Sequence, residues 1–303
     1  MYRQLIAFHL PDKQPDALIY IDLQRLDYVY SKSEDKKSYL NALEVMEKKF
    51  QNFPAVVEVL ADLASYYHGL KENEEVENAE VDKTSLRKAY DICADGVKRF
   101  PEYKRINLLK NIQAEILRKK LSYSHKGICL PSSKLAINIS FSNLDEAELK
   151  VYKLDVSAID FYTFKQNNRN DRNLHPTAKL IETRKINLKK DVNFLTKDTL
   201  IDLNVGDYGI YQLSISTPNE INPENITYSS FTVTSLSYIM RKTDPDKINL
   251  YTLHRKTGLQ IPNVTVKSGS LKWNGSAYDF NLKLTANTDK NGYYHISGKN
   301  EYS

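Results

Sequence analysis

"RINLLKNIQAEILRKKL" occupies residues 105–121, and "SHKGICLPSSKLAINISF" follows at 124–141. In the first stretch Ile106, Leu109, Ile112 and Ile116 recur at spacings of three, three and four, which lays one apolar stripe along a helix. In the second, Leu135, Ile137, Ile139 and Phe141 alternate with Ala, Asn and Ser, the period of a half-buried strand. Gly127 and Pro131 punctuate the passage between them. The hydrophobic period therefore switches near residue 127, and the chain is read outward from that switch.

Upstream, from residue 16 to about 121, the period is helical. "YLNALEVMEKKF" aligns Tyr39, Leu43, Met46 and Phe50, and "VVEVLADLASYY" aligns Val56, Leu60, Leu63, Ala64 and Tyr67. "SLRKAYDICADGVKRF" aligns Leu86, Ala89, Cys93, Val97 and Phe100. "ALIYIDLQRLDYVY" fits a helix through Ile19, Leu23, Leu26 and Tyr30, although it also alternates. Two helical runs end in Phe-Pro, at Phe53-Pro54 and Phe100-Pro101. Proline stops one helix and suits the first turn of the next, so these corners predict antiparallel helical pairs of a repeat-like kind. The separation of 47 residues exceeds one such repeat, and the acidic insert "KENEEVENAEVDK" at 71–83 accounts for the excess as a solvated loop or helix end.

Downstream, "ELKVYKLD", "AIDFYTF", "RKINL", "TLIDL", "GIYQLSIS", "SSFTVTS", "KINLYTLHR" and "NVTVKS" alternate and are rich in β-branched and aromatic residues. Short strands without intervening helices predict antiparallel sandwiches. The expected organisation is a helical repeat-like region at 1–126, one β-sandwich at 127–234 and a second at 235–303, which is short for a full sandwich and reads as truncated. The fold class is thus α+β and multidomain.

The net charge of +5 comes from interspersed signs and marks no basic face, so nucleic acid is not an expected partner. No run of eighteen apolar residues exists, so no helical membrane span is expected. Cys93 and Cys129 are the two cysteines; they make no disulfide framework, and whether they pair stays open.

Catalytic, cofactor and metal sites are expected to be none. His9, His68, His125, His175, His254 and His295 include no i, i+4 pair. His254 and His295 fall in expected strands and are open to a cross-strand pairing. No Gly-x-Ser-x-Gly elbow and no phosphate-binding glycine pattern is present. Asp244 and Asp246 flank Pro245 as turn residues. "TDKNGYYHI" places Asp289, Asn291 and Gly292 in a calcium-like order, but the Glu that would follow is Gly298; Asn291-Gly292 reads as a tight hairpin turn. "HRKTGLQIPNV" reads as a connection through Thr257-Gly258 rather than an anion loop. Sequons at Asn138, Asn225, Asn263 and Asn274 carry no argument, Asn138 lying inside a strand. Tyr162, Tyr208, Tyr211, Tyr238, Tyr278, Tyr293 and Tyr294 are read as sandwich packing before they are read as a glycan or peptide platform.

The order of these parts resembles the bacterial alpha-2-macroglobulin-like proteins of the Gram-negative cell envelope. "FSNLDEAELKVYKLD" and "GDYGIYQLSIST" look like the beginning and end of a macroglobulin-like, immunoglobulin-like sandwich. "FTVTSLSYIM", the Thr257-Gly258 turn and the later Thr288-Asp289 with Gly292 look like the next domain, with Gln260-Ile261-Pro262 departing from the usual order. The resemblance covers roughly residues 127–297 and, loosely, the helices. It implies a non-catalytic scaffold portion of a protease-trapping endopeptidase inhibitor in the periplasm or at the outer membrane, with proteases or other envelope proteins as partners and no cofactor. The Cys-x-x-Gln of thioester-bearing members is missing, since Cys93 precedes Ala-Asp-Gly and Cys129 precedes Leu-Pro-Ser. The Thr-Gly and Thr-Asp-x-x-Gly pair is shared with carboxypeptidase-regulatory-like sandwiches. The alternative is therefore a module that binds peptide or glycan, linked to outer-membrane nutrient uptake.

Overall fold

The structure is a computed structural model and describes residues 1–32, 36–70, 83–168, 173–222, 225–244 and 247–297. Most of the acidic insert at 71–83, part of the 217–225 loop, Pro245-Asp246 and Gly298 lie outside the described residues. The chain forms two compact units. One is 1–120 with 141–143 and 190–197; the other is 121–140, 144–189 and 198–303.

The first unit is helical: α1 Tyr2–His9, α2 Asp16–Lys32, α3 Lys36–Phe50, α4 Val56–Gly69, α5 Ser85–Arg99 and α6 Asn107–Ile116. Most of the stripe residues expected from spacing are buried, and Tyr39, Tyr67, Val97, Phe100 and Ile112 pack half-buried against the same core. Ile19, Leu43, Val56, Ala89, Cys93 and Leu109 are fully inaccessible and belong to one continuous core. Helix α4 packs on α3, α5 and α6. Gly96 of α5 marks the tightest approach: a Cβ there would fall 2.4 Å from Leu109 and 2.9 Å from Leu60. The Phe-Pro corners differ from each other. Pro54 stands two residues before α4, whereas Pro101 opens a run of turns that lasts until α6. Arg99 clasps these corners, donating to the Gln51 carbonyl and pairing with Asp95 at 2.7 Å and Glu47 at 3.7 Å. Helix α1, outside the expected helical span, buries no side chain.

The helical part ends sooner than residue 126. Asn143, at φ +59°, donates its side-chain amide to the carbonyls of Ile116 and Arg118 at 2.7 and 3.0 Å and so satisfies the end of α6. Lys120–His125 is already a strand, β1.

The strands that follow are β2 Ile128–Cys129, β3 Lys134–Ser142, β4 Glu146–Leu154, β5 Ala178–Asn187, β6 Lys197–Asn204, β7 Gly209–Ser216 and β8 Tyr228–Val233. They make a sheet of order β1-β3-β6 and another of order β2-β8-β7-β4-β5. Leu135, Ile137 and Ile139 of the first and Leu149, Leu213 and Phe231 of the second are buried between them, the alternation of a sandwich. Pairing is antiparallel along β5-β4-β7-β8, while the short β2 joins β8 in parallel.

"AIDFYTF" is not a strand. Residues Ala158–Asn167 form helix α7. Ser157 caps it, accepting from the Asp160 amide at 3.1 Å and donating to the Asp160 carboxylate at 2.7 Å. Phe161 and Phe164, one turn apart, then face Leu154 and Ile210. Cap and burial overrode the aromatic β preference.

The remaining strands are β9 Leu236–Asp244, β10 Lys247–His254, β11 Thr265–Trp273, β12 Tyr278–Asn287 and β13 Tyr293–Ser297. β13-β10-β9 form one sheet and β11-β12 a ribbon. This strand set begins at Leu236. Yet this part and the first sandwich belong to one compact unit. Asn167 of α7 bonds both backbone groups of Tyr278 in β12, accepting from its N–H at 2.7 Å and donating to its carbonyl at 2.9 Å. Among the described residues no helix is long and apolar enough to cross a membrane.

Candidate functional site

The Asn291-Gly292 turn and Ile261, three residues past the Thr257-Gly258 turn, meet at Thr252 of β10. The Thr252 amide donates to the Gly292 carbonyl at 2.8 Å, and its carbonyl accepts from Ile261 at 2.9 Å. Its hydroxyl lies 2.7 Å from the Ile261 carbonyl and 3.0 Å from the Gly292 carbonyl. Thr288 completes the corner, its hydroxyl accepting from the Val264 amide at 2.9 Å. Gly258 and Gly292 hold φ of +71° and +67°, a region that glycine enters without steric cost. A Cβ on Gly292 would fall 2.7 Å from the Thr252 carbonyl oxygen and 2.8 Å from that of Ile261.

Asn291-Gly292 is not a hairpin between paired strands. β12 pairs with β11 and β13 with β10, so this turn carries the chain from ribbon to sheet. The hairpin turn is instead Asn274-Gly275, where the Asn274 side-chain oxygen accepts from the amides of Ser276 and Ala277 at 3.0 and 2.9 Å. The Asp289 carboxylate is engaged by the Asn291 and Tyr293 amides, both at 2.8 Å. Among the described residues no group of three His, Cys, Asp or Glu is placed to hold a metal.

The histidines are dispersed. His295 of β13 stands opposite Asn249 and bonds its side chain at 2.9 Å, while His254 stands opposite Leu236 five residues further along β10. The two therefore do not meet. His175 is buried against Phe164 and Phe161, and burial holds its pKa below the ordinary value. His125 bonds the Ser229 hydroxyl at 2.6 Å and the Lys126 carbonyl at 2.9 Å, and packs edge-on against Phe231. Together with Tyr123, whose hydroxyl donates to the Thr227 carbonyl at 2.7 Å, it ties β1 to the opposite sheet. Cys93 and Cys129 are free thiols, and burial pushes the first up to about 12 and the second up as well. Of the tyrosines read as sandwich packing, Tyr211 donates to the Asp207 carbonyl, Tyr208 bonds Ser235 and Tyr293 donates to Asn249, whereas Tyr162 lies on α7 and, like Tyr238, is exposed.

The tyrosines that do converge lie in the helical unit, where spacing had marked Tyr30 and Tyr39 only as stripe members. Tyr30 of α2 stacks on Tyr39 of α3 with centroids 4.3 Å apart, and Tyr66 of α4 stands 6.2 Å from Tyr39. With Asp27 and Asp62 they line a cavity of about 270 Å³. Asp27 precedes Tyr30 by three residues and Asp62 precedes Tyr66 by four, so each helix presents one carboxylate and one ring on the same face. Tyr39 donates to Asp27 at 3.3 Å. Burial, then Asp27 and Glu58, push the Asp62 carboxyl up to about 6, against the opposing pull of Arg105. The signal in the sequence was this pair of Asp-to-Tyr spacings, which a search for metal or nucleophile patterns passes over.

No protein-family model matches the chain, and no curated protein matches it. Among solved structures, native alpha-2-macroglobulin from Escherichia coli aligns over 61% of this chain and 59% of that one, at 12% identity and a TM-score of 0.44. A Salmonella alpha-2-macroglobulin mutant aligns over 61% of this chain and 11% of its own length, at 12% identity and a TM-score of 0.40. A CARDB domain from Pyrococcus furiosus, solved with two metal ions, aligns over 38% of this chain and 89% of its own, at 12% identity and a TM-score of 0.23. The chain thus spans less than two thirds of the first two.

Proposed function

We propose that the chain is a non-catalytic scaffold within an envelope protein of the macroglobulin-like kind, supplying rigid spacing in a protein that restrains proteases. The observation that carries this reading is the Thr252 corner. There the stretches whose order resembles that family are bonded to one another, and the hydroxyls of Thr252 and Thr288 and one oxygen of the Asp289 carboxylate are bonded to backbone groups of the same corner. A nucleophile or acid needs a free lone pair or proton placed against substrate, and the hydroxyls of Thr252 and Thr288, buried and bonded within the corner, offer neither. The reading also places the protein in the cell envelope, with proteases as the partners of the whole molecule.

The whole gene product, mixed with trypsin, tests it. Hydrolysis of casein is expected to fall while hydrolysis of a small peptide amide persists, with residues 1–303 recovered uncut. Unchanged casein hydrolysis would overturn the trap, and peptide-bond turnover by the chain itself would overturn the non-catalytic part.

A further inference from the structure

The cavity between α2, α3 and α4 is built for a ligand of one chemistry. It is lined by the rings of Tyr30, Tyr39 and Tyr66 and the carboxylates of Asp27 and Asp62, with Ser65, Gly69 and Leu70 at its border. Among the described residues, neither carboxylate forms an ion pair with a lysine or arginine. The nearest cation in effect, Arg105, is committed to Glu58 at 2.9 Å, and Glu58 also accepts from Tyr103 at 3.0 Å. Among the described residues, Asp27 accepts from the Tyr39 hydroxyl alone. A packed core would place apolar groups at such a junction; here Asp62 is half-buried beside the tyrosine rings and Asp27 is open to solvent.

Ring faces carry negative potential and attract cations. Carboxylates add charge and hydrogen-bond acceptors. The volume is at the lower edge of the roughly 300–1,000 Å³ of pockets that enclose drug-sized ligands, which suits one long side chain. In sequence, the chain continues from Leu70 into residues 71–82, which hold six acidic residues and one lysine, a charge balance that favours a basic partner.

We propose that this cavity binds the side chain of a lysine or arginine from a partner polypeptide, with the aliphatic stem along Tyr30 and Tyr39 and the cationic head between Asp27 and Asp62. The proposal concerns the helical unit and stands whether or not the scaffold reading holds. The groups that face Asp62 are Asp27, Tyr30, Tyr39, Glu58, Tyr66 and Arg105. Since Asp62 titrates near 6 without ligand, binding is expected to weaken as pH falls from 7.5 to 5.

Saturation-transfer NMR on the full chain at pH 7.5 tests the proposal, using the Nα-acetyl methylamides of lysine, arginine and norleucine as probes. Lysine or arginine should bind at least tenfold more tightly than norleucine. Asp62→Asn should lose that preference, Tyr66→Phe should retain it, and Tyr66→Ala should weaken it. Asp91→Asn, which alters a carboxylate paired with Arg87 on α5, should leave it unchanged. Far-ultraviolet circular dichroism confirms that each variant remains helical. Equal binding of norleucine, or an Asp62→Asn chain that binds lysine and arginine like the parent, would overturn the proposal.

Discussion

The helical unit and the strands at 236–297 are held together by different physics. In the helices one apolar cluster runs from Leu18 to Ile116. Between 236 and 297, among the described side chains, Leu250 is the buried apolar residue, and Thr252 and Thr288 are the buried polar ones. Large apolar side chains there stand exposed instead: Tyr238, Ile239 and Met240 on β9, and Trp273 and Leu282 on the ribbon. Where little apolar area leaves water, the hydrophobic term is small, and backbone bonding through turns of fixed geometry must do more to define the structure. Apolar truncation should therefore damage the helices most, and backbone or hydroxyl changes should damage the strands most.

The largest expected effect is in the helices. Leu43 is fully buried, and Leu43→Ala should cost about 3 kcal/mol, read as the denaturation midpoint of ellipticity at 222 nm. Leu282→Ala on half-exposed β12 should change stability by less than about 0.5 kcal/mol. Comparable losses at the two positions would break the contrast.

Gly292→Ala comes next. It combines a positive φ with carbonyl oxygens under 3 Å from the new methyl, and backbone atoms, unlike side-chain tips, cannot swing aside. A loss of about 2 kcal/mol is expected. Trp273, the one tryptophan, lies in this region, so its emission reports the loss there. Thr252→Val keeps the shape and removes the hydroxyl from the Ile261 and Gly292 carbonyls. It should cost about 1–2 kcal/mol by the same fluorescence, and an unchanged midpoint would show that the hydroxyl contributes nothing to the corner.

The same contrast explains what could be read in advance. Helix stripes were legible because burial follows spacing directly: Leu43, Met46 and Phe50 are where a period of 3.6 puts them. The strand Leu135–Phe141 was legible for the same reason at period two. Helix α7 was not, because its decisive feature is the Ser157–Asp160 cap, a single pair inside an aromatic run that alternates. Asn274-Gly275 and Asn291-Gly292 share one dipeptide, yet one joins paired strands and the other changes sheets. Turn chemistry fixes the backbone angles locally but not which strands the turn connects. The acid–tyrosine cavity needed three helices to be assembled, although each half of its spacing lay in view.

A stabilising effect of about 1 kcal/mol sharpens the comparison from the helical side, where one polar group sits against the apolar rule. Asp62 has a pKa near 6 in the folded chain against an ordinary value of 3.8, chiefly through burial. A raised carboxyl means that the folded state holds its proton more tightly than the unfolded state. Its contribution favours folding below about pH 4 and is lost as pH rises through 6. At pH 7.5 the buried charge is therefore a cost, and Asp62→Asn should stabilise the helical unit by about 1 kcal/mol after solvent screening is allowed for. Parent and variant should converge as pH falls to 4. Denaturation of both by urea at pH 4, 6 and 7.5, followed at 222 nm, checks the sign. A variant less stable than the parent at pH 7.5 would mean that the carboxylate holds the helices together. A stabilised variant that also loses the lysine and arginine preference would mean that the helices carry this charge for a ligand and not for their own packing.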